Sequence, residues 1–362
     1  MYEIRLQKAL IPIFNRISCV TFSARTMTSV QAGEKLSHVE RTAAEPRDKS
    51  LNRVVVRSIE QVNDATRVFR LGVPEGGPVF RFLPGQWLDV YCPGVEKAGG
   101  FTITSTPREA RLPHPSKPVT QSDENSGASA DASSSPTAAD GPYLELAIAS
   151  SPLNPAAVYL FRPIPSLLSQ ELHVRVGGSF VFPPPGINVR TLKRVIFVAG
   201  GMGVNPLVSM LSSLSQVPQG FEVRFLYALK DPSGTGDSGS MLFLERISGL
   251  FASGKVKGQL KVFLTGRTQK EGDSKRDEKA DRDDEGGENA IQTSTGSLTF
   301  ESRRPTLDDV SEALGTAAER RFAVVYICGV PSMTDDFVER LTSAGEGGLG
   351  MEKHRVLCEK WW

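Results

Sequence analysis

Between Val195 and Leu207 the chain reads Val-Ile-Phe-Val-Ala-Gly-Gly-Met-Gly-Val-Asn-Pro-Leu. Gly200, Gly201 and Gly203 carry no Cβ and accept positive φ, so a ligand can lie close against their backbone. Leu207, Met210, Leu211 and Leu214 follow at helical spacing, which predicts a helix starting just after the glycines. Backbone N–H groups at a helix N-terminus favour an anion, so the chemistry this stretch can do is to hold a phosphate. A plain strand-to-helix turn that needs small residues gives the same pattern, and short glycine motifs match by chance often enough to leave both readings open here.

The elements that must position this turn fall into two rhythms. From Arg53 to Phe182 the chain alternates in short runs. These are Arg53–Ile59, Thr66–Leu71, Gln86–Tyr91 after a Pro84-Gly85 turn, Phe101–Ser105, Tyr143–Ile148, and Glu171–Phe182 read as strand, turn, strand. Such runs, separated by turn residues, predict a small antiparallel barrel. From Val195 onward strands alternate with helices. Val223–Ala228, Leu260–Leu264, Ala323–Cys328 and Arg355–Cys358 read as strands, and Leu242–Leu250 and Met333–Leu341 as helices. That rhythm predicts a doubly wound parallel sheet, with the boundary between lobes near Gly186–Leu192.

Composition fits two domains in 362 residues, with part of the chain outside any packed core, since only 39% of residues are hydrophobic. Residues 112–141 are rich in Ser, Ala, Pro and Asp. Residues 267–297 are a mixed charge run followed by Gly, Ser and Thr. Both lack the apolar surface that offsets ordering entropy and are expected to be disordered insertions. A net charge of +1 gives no support to nucleic-acid binding, and no stretch approaches the apolar length of a membrane span. Cys19, Cys92, Cys328 and Cys358 stand singly, without the spacing of a zinc or iron–sulfur site, so reduced thiols are expected. In residues 1–28, Arg5, Lys8, Arg16 and Arg25 face one acid, Glu3, and Leu6, Leu10, Ile13 and Ile17 share a helical side before a Ser/Thr-rich end. This is the pattern of a mitochondrial transit peptide. Residues 29–52 then read as a linker.

Three motifs in fixed order carry a family resemblance: Gly200 to Leu207, then Ile327-Cys328-Gly329-Val330-Pro331-Ser332-Met333, then Glu359-Lys360-Trp361-Trp362. A barrel followed by these motifs resembles the ferredoxin–NADP reductase superfamily. The resemblance runs over residues 53–362 apart from the insertions. It implies a flavin-binding barrel at 53–188, a nicotinamide dinucleotide-binding α/β lobe at 189–362, and NAD or NADP with FAD, ahead of FMN, as cofactors. The dinucleotide pyrophosphate maps to Gly200, Gly201, Met202, Gly203, Val204 and Asn205, with Ala199 and Pro206 on either side as further cofactor-binding candidates. Cys328 and Gly329 map beside the nicotinamide, and Cys328 and Glu359 to the hydride path as the candidate catalytic pair. Trp361 maps to the ring that covers the flavin, with Trp362 adding a second indole.

On the flavin side the family pattern is Arg-x-Tyr-Ser/Thr, which maps to Gly99, Phe101 and Thr102, with Ile103, Thr104 and Ser105 completing the strand. The phosphate-binding arginine is thus a glycine, and Lys97 or Arg108 would have to replace its charge. Asn154-Pro155-Ala156-Ala157 stands where the family places a second phosphate contact, and it is equally a simple helix cap. After Ala228, Leu229-Lys230-Asp231 shows no arginine pair for a 2′-phosphate, which favours NAD. The expected function is hydride transfer from a nicotinamide to a flavin, with electrons passing to a separate acceptor, a protein among the candidates. The alternative is a non-catalytic dinucleotide-binding or scaffold protein that has lost its flavin.

Overall fold

Six antiparallel strands build the first lobe of the computed structural model, which describes residues 36–114, 141–265 and 289–360. After a short helix α1 (His38–Arg41) come β1 (Asn52–Asn63), β2 (Thr66–Gly72), β3 (Trp87–Tyr91), β4 (Gly99–Thr102) and β5 (Tyr143–Ala149). Two short helices, α2 (Pro155–Leu160) and α3 (Ile164–Leu167), lead to β6 (Glu171–Gly177). The order is β4-β3-β6-β1-β2-β5. The two outer strands meet through an Ile103–Leu146 bridge and the Thr104 N–H, which donates to the Glu145 carbonyl at 2.8 Å, so the sheet closes on itself. Leu88, Val90, Phe101, Ile103, Leu146 and Val174 fill its interior, with Ala156 and Leu160 of α2 packed into the same core.

The second lobe is the α/β sheet. Its elements are β7 (Arg194–Gly200), α4 (Val204–Leu214), β8 (Glu222–Lys230), α5 (Leu244–Ala252) and β9 (Gly258–Thr265). These are followed by the hairpin β10 (Ala290–Thr293) and β11 (Gly296–Glu301), then α6 (Leu307–Leu314), α7 (Ala317–Arg320), β12 (Ala323–Gly329), α8 (Pro331–Thr342) and β13 (Val356–Lys360). The order is β10-β11-β9-β8-β7-β12-β13. The ladders from β11 through β13 are parallel, and only the β10–β11 hairpin is antiparallel. Val195 to Ala199 are fully buried because β7 is covered on both faces, which is why it reads as an unbroken apolar run.

α4 lies between the sheet and the barrel, and every residue from Val204 to Leu211 is buried. Val68, Ala147, Phe180 and Phe182 of the first lobe share one apolar cluster with Phe197, Leu207 and Tyr326 of the second. The lobes therefore pack through a common core.

Three expectations change. Residues 36–51 are not a linker. Ser37 caps α1 in a capping box with Glu40, and Arg47 bridges to Gly177 at the barrel wall. Phe180–Phe182 is not a strand, because these residues turn inward to the lobe interface, where the Phe180 ring packs edge-on against Tyr326 at 5.4 Å. The second insertion ends earlier than expected, since 290–293 pairs with 296–301 as β10 and β11. The transit peptide and most of both insertions fall outside the described residues.

Candidate functional site

β7 ends at Gly200 and β12 at Gly329, as neighbours. From β7 the chain builds outward through β8 and β9 on one side and through β12 and β13 on the other, so the topological switch point lies between β7 and β12. Ligands of open α/β sheets bind in the crevice outside the carboxyl ends of the strands at that point. The residues there are the glycines singled out in the sequence. Gly201 sits at φ +53° with open space where a side chain would be. A Cβ on Gly203 would stand 2.0 Å from the Cys328 carbonyl oxygen, and one on Gly329 would stand 2.5 Å from Met333 Cε and 3.3 Å from the Gly200 α-carbon. Gly200, Gly203, Cys328 and Gly329 thus form one surface, and the bare glycines are what lets the turn sit so low. No side chain caps the start of α4, which follows directly from a 3-10 turn over Gly201–Gly203, where the Val204 N–H donates to the Gly201 carbonyl.

The rest of that run does other work. Ala199, Val204 and Pro206 are buried in packing, and Met202 is half-buried against the same core. Asn205 is 6% exposed, and its Nδ2 donates to the Ala147 carbonyl of β5 at 3.0 Å, so this residue is a strut between lobes. Cys328 is fully buried beneath the crevice floor. Glu359 is its register partner on β13, and Lys360 is the partner of Gly329. Lys360 also forms an ion pair with Asp335 of α8, which fixes the end of β13. Trp361 and Trp362 lie outside the described residues.

The candidate flavin strand is buried throughout, from Phe101 at 8% exposure through Thr102, Ile103, Thr104 and Ser105 at 2% or less. Phe101 belongs to the barrel core, and its ring lies over Gly99. A Cβ on Gly99 would stand 2.6 Å from that ring and 2.7 Å from Ala156 Cβ. Two of the strand hydroxyls, those of Thr104 and Ser105, are engaged inside the protein. Thr104 Oγ1 donates to Glu145 Oε1 at 2.9 Å, and Ser105 Oγ accepts from the Glu145 N–H at 3.0 Å. At α2, Asn154 Oδ1 accepts from the N–H groups of Ala156 and Ala157 at 3.1 and 3.3 Å. The simple-cap reading is the one realised. Lys97 helps hold the Glu40 carboxyl low, after the Ser37 bonds that dominate, and Arg108 is exposed at the start of a 3-10 turn.

Glu145 itself was not picked out from the sequence, yet it ties the lobes together. Arg246 of α5 donates to both of its oxygens, at 2.7 and 3.0 Å. Burial pushes the Glu145 carboxyl up, and the Arg246 charge and hydrogen bonds outweigh that, leaving it below the usual carboxylate range. Close by, Ser209 of α4 donates to the Ser105 carbonyl at 2.8 Å.

A second buried acid, Asp89, lies on the outer wall of the barrel. His38 Nε2 stands 3.1 Å from one oxygen, while Arg47 Nε at 3.0 Å and Arg175 Nη2 at 2.6 Å hold the other. The capping-box spacing Ser37-x-x-Glu40 was the signal that this segment is structured. After β8, Asp231 accepts from the N–H groups of Ser233, Gly234 and Gly236 at 3.1, 2.9 and 2.8 Å, folding the loop around a carboxylate. Among the described residues no group of His, Cys, Asp and Glu is arranged to hold a metal ion, and no helix is long and apolar enough to cross a membrane.

Comparisons with known proteins agree with this geometry. Residues 192–341 match the ferric reductase NAD binding domain. Oxidoreductase NAD-binding domain-containing protein 1 of Bos taurus is 26% identical over 352 residues, covering 94% of this chain and 91% of that protein. Among solved structures, the CS-b5R domains of human Ncb5or in the NAD+ form superpose with a TM-score of 0.55 at 16% identity, over 86% of this chain and 70% of that one. A ferredoxin NADP+ reductase from Neisseria gonorrhoeae with bound FAD and NADP gives 0.51 at 13% identity, over 86% and 99%. The chain therefore has the ferredoxin–NADP reductase fold, is matched over residues 192–341 by the ferric reductase NAD binding domain, and is similar along most of its length to oxidoreductase NAD-binding domain-containing protein 1.

Proposed function

We propose that the crevice at Gly200–Gly203 and Cys328–Gly329 binds a nicotinamide dinucleotide and that the protein is an NAD(P)H-dependent oxidoreductase. The observation that carries this reading is the convergence of the bare glycine turn, the uncapped start of α4 and the Cys328–Gly329 peptide at the switch point of the sheet. The nicotinamide supplies a hydride when bound. The residues of the chain contribute binding and orientation. The turn and the helix start take the pyrophosphate, Gly329 gives the ring room against β12, and the buried Cys328 sets the floor beneath it. Glu359 stands beside Cys328 in the ladder, on the strand that flanks the crevice. NAD is favoured over NADP. Asp231 follows the carboxyl end of β8, and its carboxylate is held low by the Ser233 hydroxyl and by loop N–H groups, against the upward push of burial. A 2′-phosphate brought to that loop would meet like charge.

The FAD-bound neighbours support a flavin as acceptor by likeness only. In this chain the Arg position is Gly99 and has no room for a side chain, the α2 start is capped by Asn154, and the Thr104 and Ser105 hydroxyls are bound within the protein. These residues do not fit a flavin nucleotide held in the family manner, so no step is derived through one. The same packing favours a second reading, a dinucleotide-binding protein without its own redox chemistry. Residues 1–28 are proposed to direct the chain to mitochondria, by their basic, acid-poor, amphipathic pattern.

Titration of the purified full chain with NADH and NADPH, followed by nicotinamide fluorescence, tests the main reading. NADH should bind, with NADPH weaker by about tenfold, a factor worth ~1.4 kcal/mol. No binding of either would overturn it. Consumption of NADH with quinone or dye acceptors separates the enzyme from the silent alternative.

A further inference from the structure

The lane between β4 and α2 is where the family pattern would run a flavin, from an aromatic ring on β4 to phosphate contacts at Gly99 and at the start of α2. In this chain that lane is filled by the protein. We infer that Phe101 plugs it, so that the barrel lobe does not seat a flavin nucleotide. This inference concerns the first lobe and does not depend on the dinucleotide reading of the second.

Four observations meet at the plug. The Phe101 ring folds back over Gly99 and shares the barrel core, where it is 8% exposed. Gly99 leaves no space for an arginine, because even a methyl would stand 2.6 Å from the Phe101 ring and 2.7 Å from Ala156 Cβ. On the other face of β4, a Cβ on Gly100 would meet the His38 imidazole at 2.0 Å, so the strand is covered on that side by the N-terminal segment. The two N–H groups at the start of α2 that could meet a phosphate already donate to Asn154 Oδ1, at 3.1 and 3.3 Å.

Seating a flavin here would mean drawing Phe101 out of a close-packed core, uncapping α2 and placing a phosphate without the guanidinium that normally holds it. Each of these steps costs free energy, through lost burial, lost hydrogen bonds and an unpaired charge. The glycine pair and the aromatic are therefore coupled. The bare Gly99 leaves the Phe101 ring room to lie over it.

Two measurements on the full chain test this. In the first, protein is incubated with excess FAD or FMN and desalted. The visible flavin band should not be retained, and the Tm should be unchanged by either nucleotide. Retention of one flavin per chain would overturn the inference, and an NADH titration of the same sample reports separately on the other lobe. The second is a double-mutant cycle on Tm. In an Ala156→Gly background, which removes the other close contact of the added methyl, Gly99→Ala should lower the Tm by several degrees with Phe101 present and by much less when combined with Phe101→Leu, because the shorter side chain withdraws from the methyl. Equal losses with and without Phe101→Leu would show that the ring does not lie over Gly99, and the plug would be refuted.

Discussion

Gly203 lies with its α-carbon against the peptide that joins Cys328 to Gly329. An added methyl would stand 2.0 Å from the Cys328 oxygen and 2.7 Å from the Gly329 nitrogen. The floor of the crevice is thus set by backbone meeting backbone, which cannot yield the way a flexible side chain can.

Gly203→Ala should destabilise the protein by about 1–3 kcal/mol through overpacking and should abolish NADH binding. Gly201→Ala meets no atoms, and its cost should come only from the positive φ, about 1 kcal/mol. Urea unfolding of both variants, alongside NADH titration, checks the contrast. Equal effects would mean that the turn is not seated on β12 as described.

The Glu145–Arg246 pair predicts strong coupling between lobes. Arg246→Met leaves a buried carboxylate without its bidentate partner. The arginine side chain is 35% exposed, so the loss should lie near the lower end for such pairs, about 2–3 kcal/mol. Adding Glu145→Leu should recover part of that, because the unpaired charge is then gone. A double-mutant cycle by chemical denaturation measures the coupling, and additive losses would count against it.

Acid stability follows from Asp89. Burial pushes its carboxyl up, but hydrogen bonds from His38, Arg175 and Arg47 prevail, and it titrates below the usual range. A carboxylate with a depressed folded pKa stabilises the native state above its unfolded pKa of about 4, and that contribution is lost as pH falls through the lower folded value. Unfolding free energy should therefore drop as pH is lowered from about 5 toward 2. In Asp89→Asn the neutral-pH stability should be lower and the acid slope shallower. An unchanged slope would remove Asp89 from the explanation.

Residues 36–48 belong to the barrel, so their removal should behave as a core lesion. Arg47 stacks over the Trp87 ring at 4.8 Å, and the His38 ring packs edge-on against it at 4.7 Å. A chain beginning at residue 49 should lose several kcal/mol or aggregate, since Trp87 and Asp89 would be uncovered together. Proteolytic maturation, if the first residues serve as an import signal, is then expected to stop before Ser37.

The two lobes were legible in the sequence because period-2 runs and the later strand–helix rhythm are local signals. The crevice was legible because glycines mark places where backbones must touch. Asn205 was legible only as a polar residue in a glycine motif, because its second role, the Nδ2 bond to the Ala147 carbonyl, reaches a strand 58 residues back. Thr104 and Ser105 misled for the same reason, since their partner Glu145 lies 40 residues on for one and 41 for the other. Residues 36–48 went unread as structure because their anchors on β3 and β6 are long-range and carry no period. Phe101 was legible as an aromatic on the right strand. Which way its ring falls depends on Ala156, and no spacing rule connects the two.

β13 runs parallel to β12 and stops level with Gly329. Whatever follows Lys360 therefore emerges at the rim where the dinucleotide is proposed to enter. A purification tag fused to that terminus would be delivered to the doorway, where it could mask or mimic a ligand. One fused ahead of Leu36 would leave from the barrel wall instead. Affinity measurements on this protein are best made on material with no tag after Lys360.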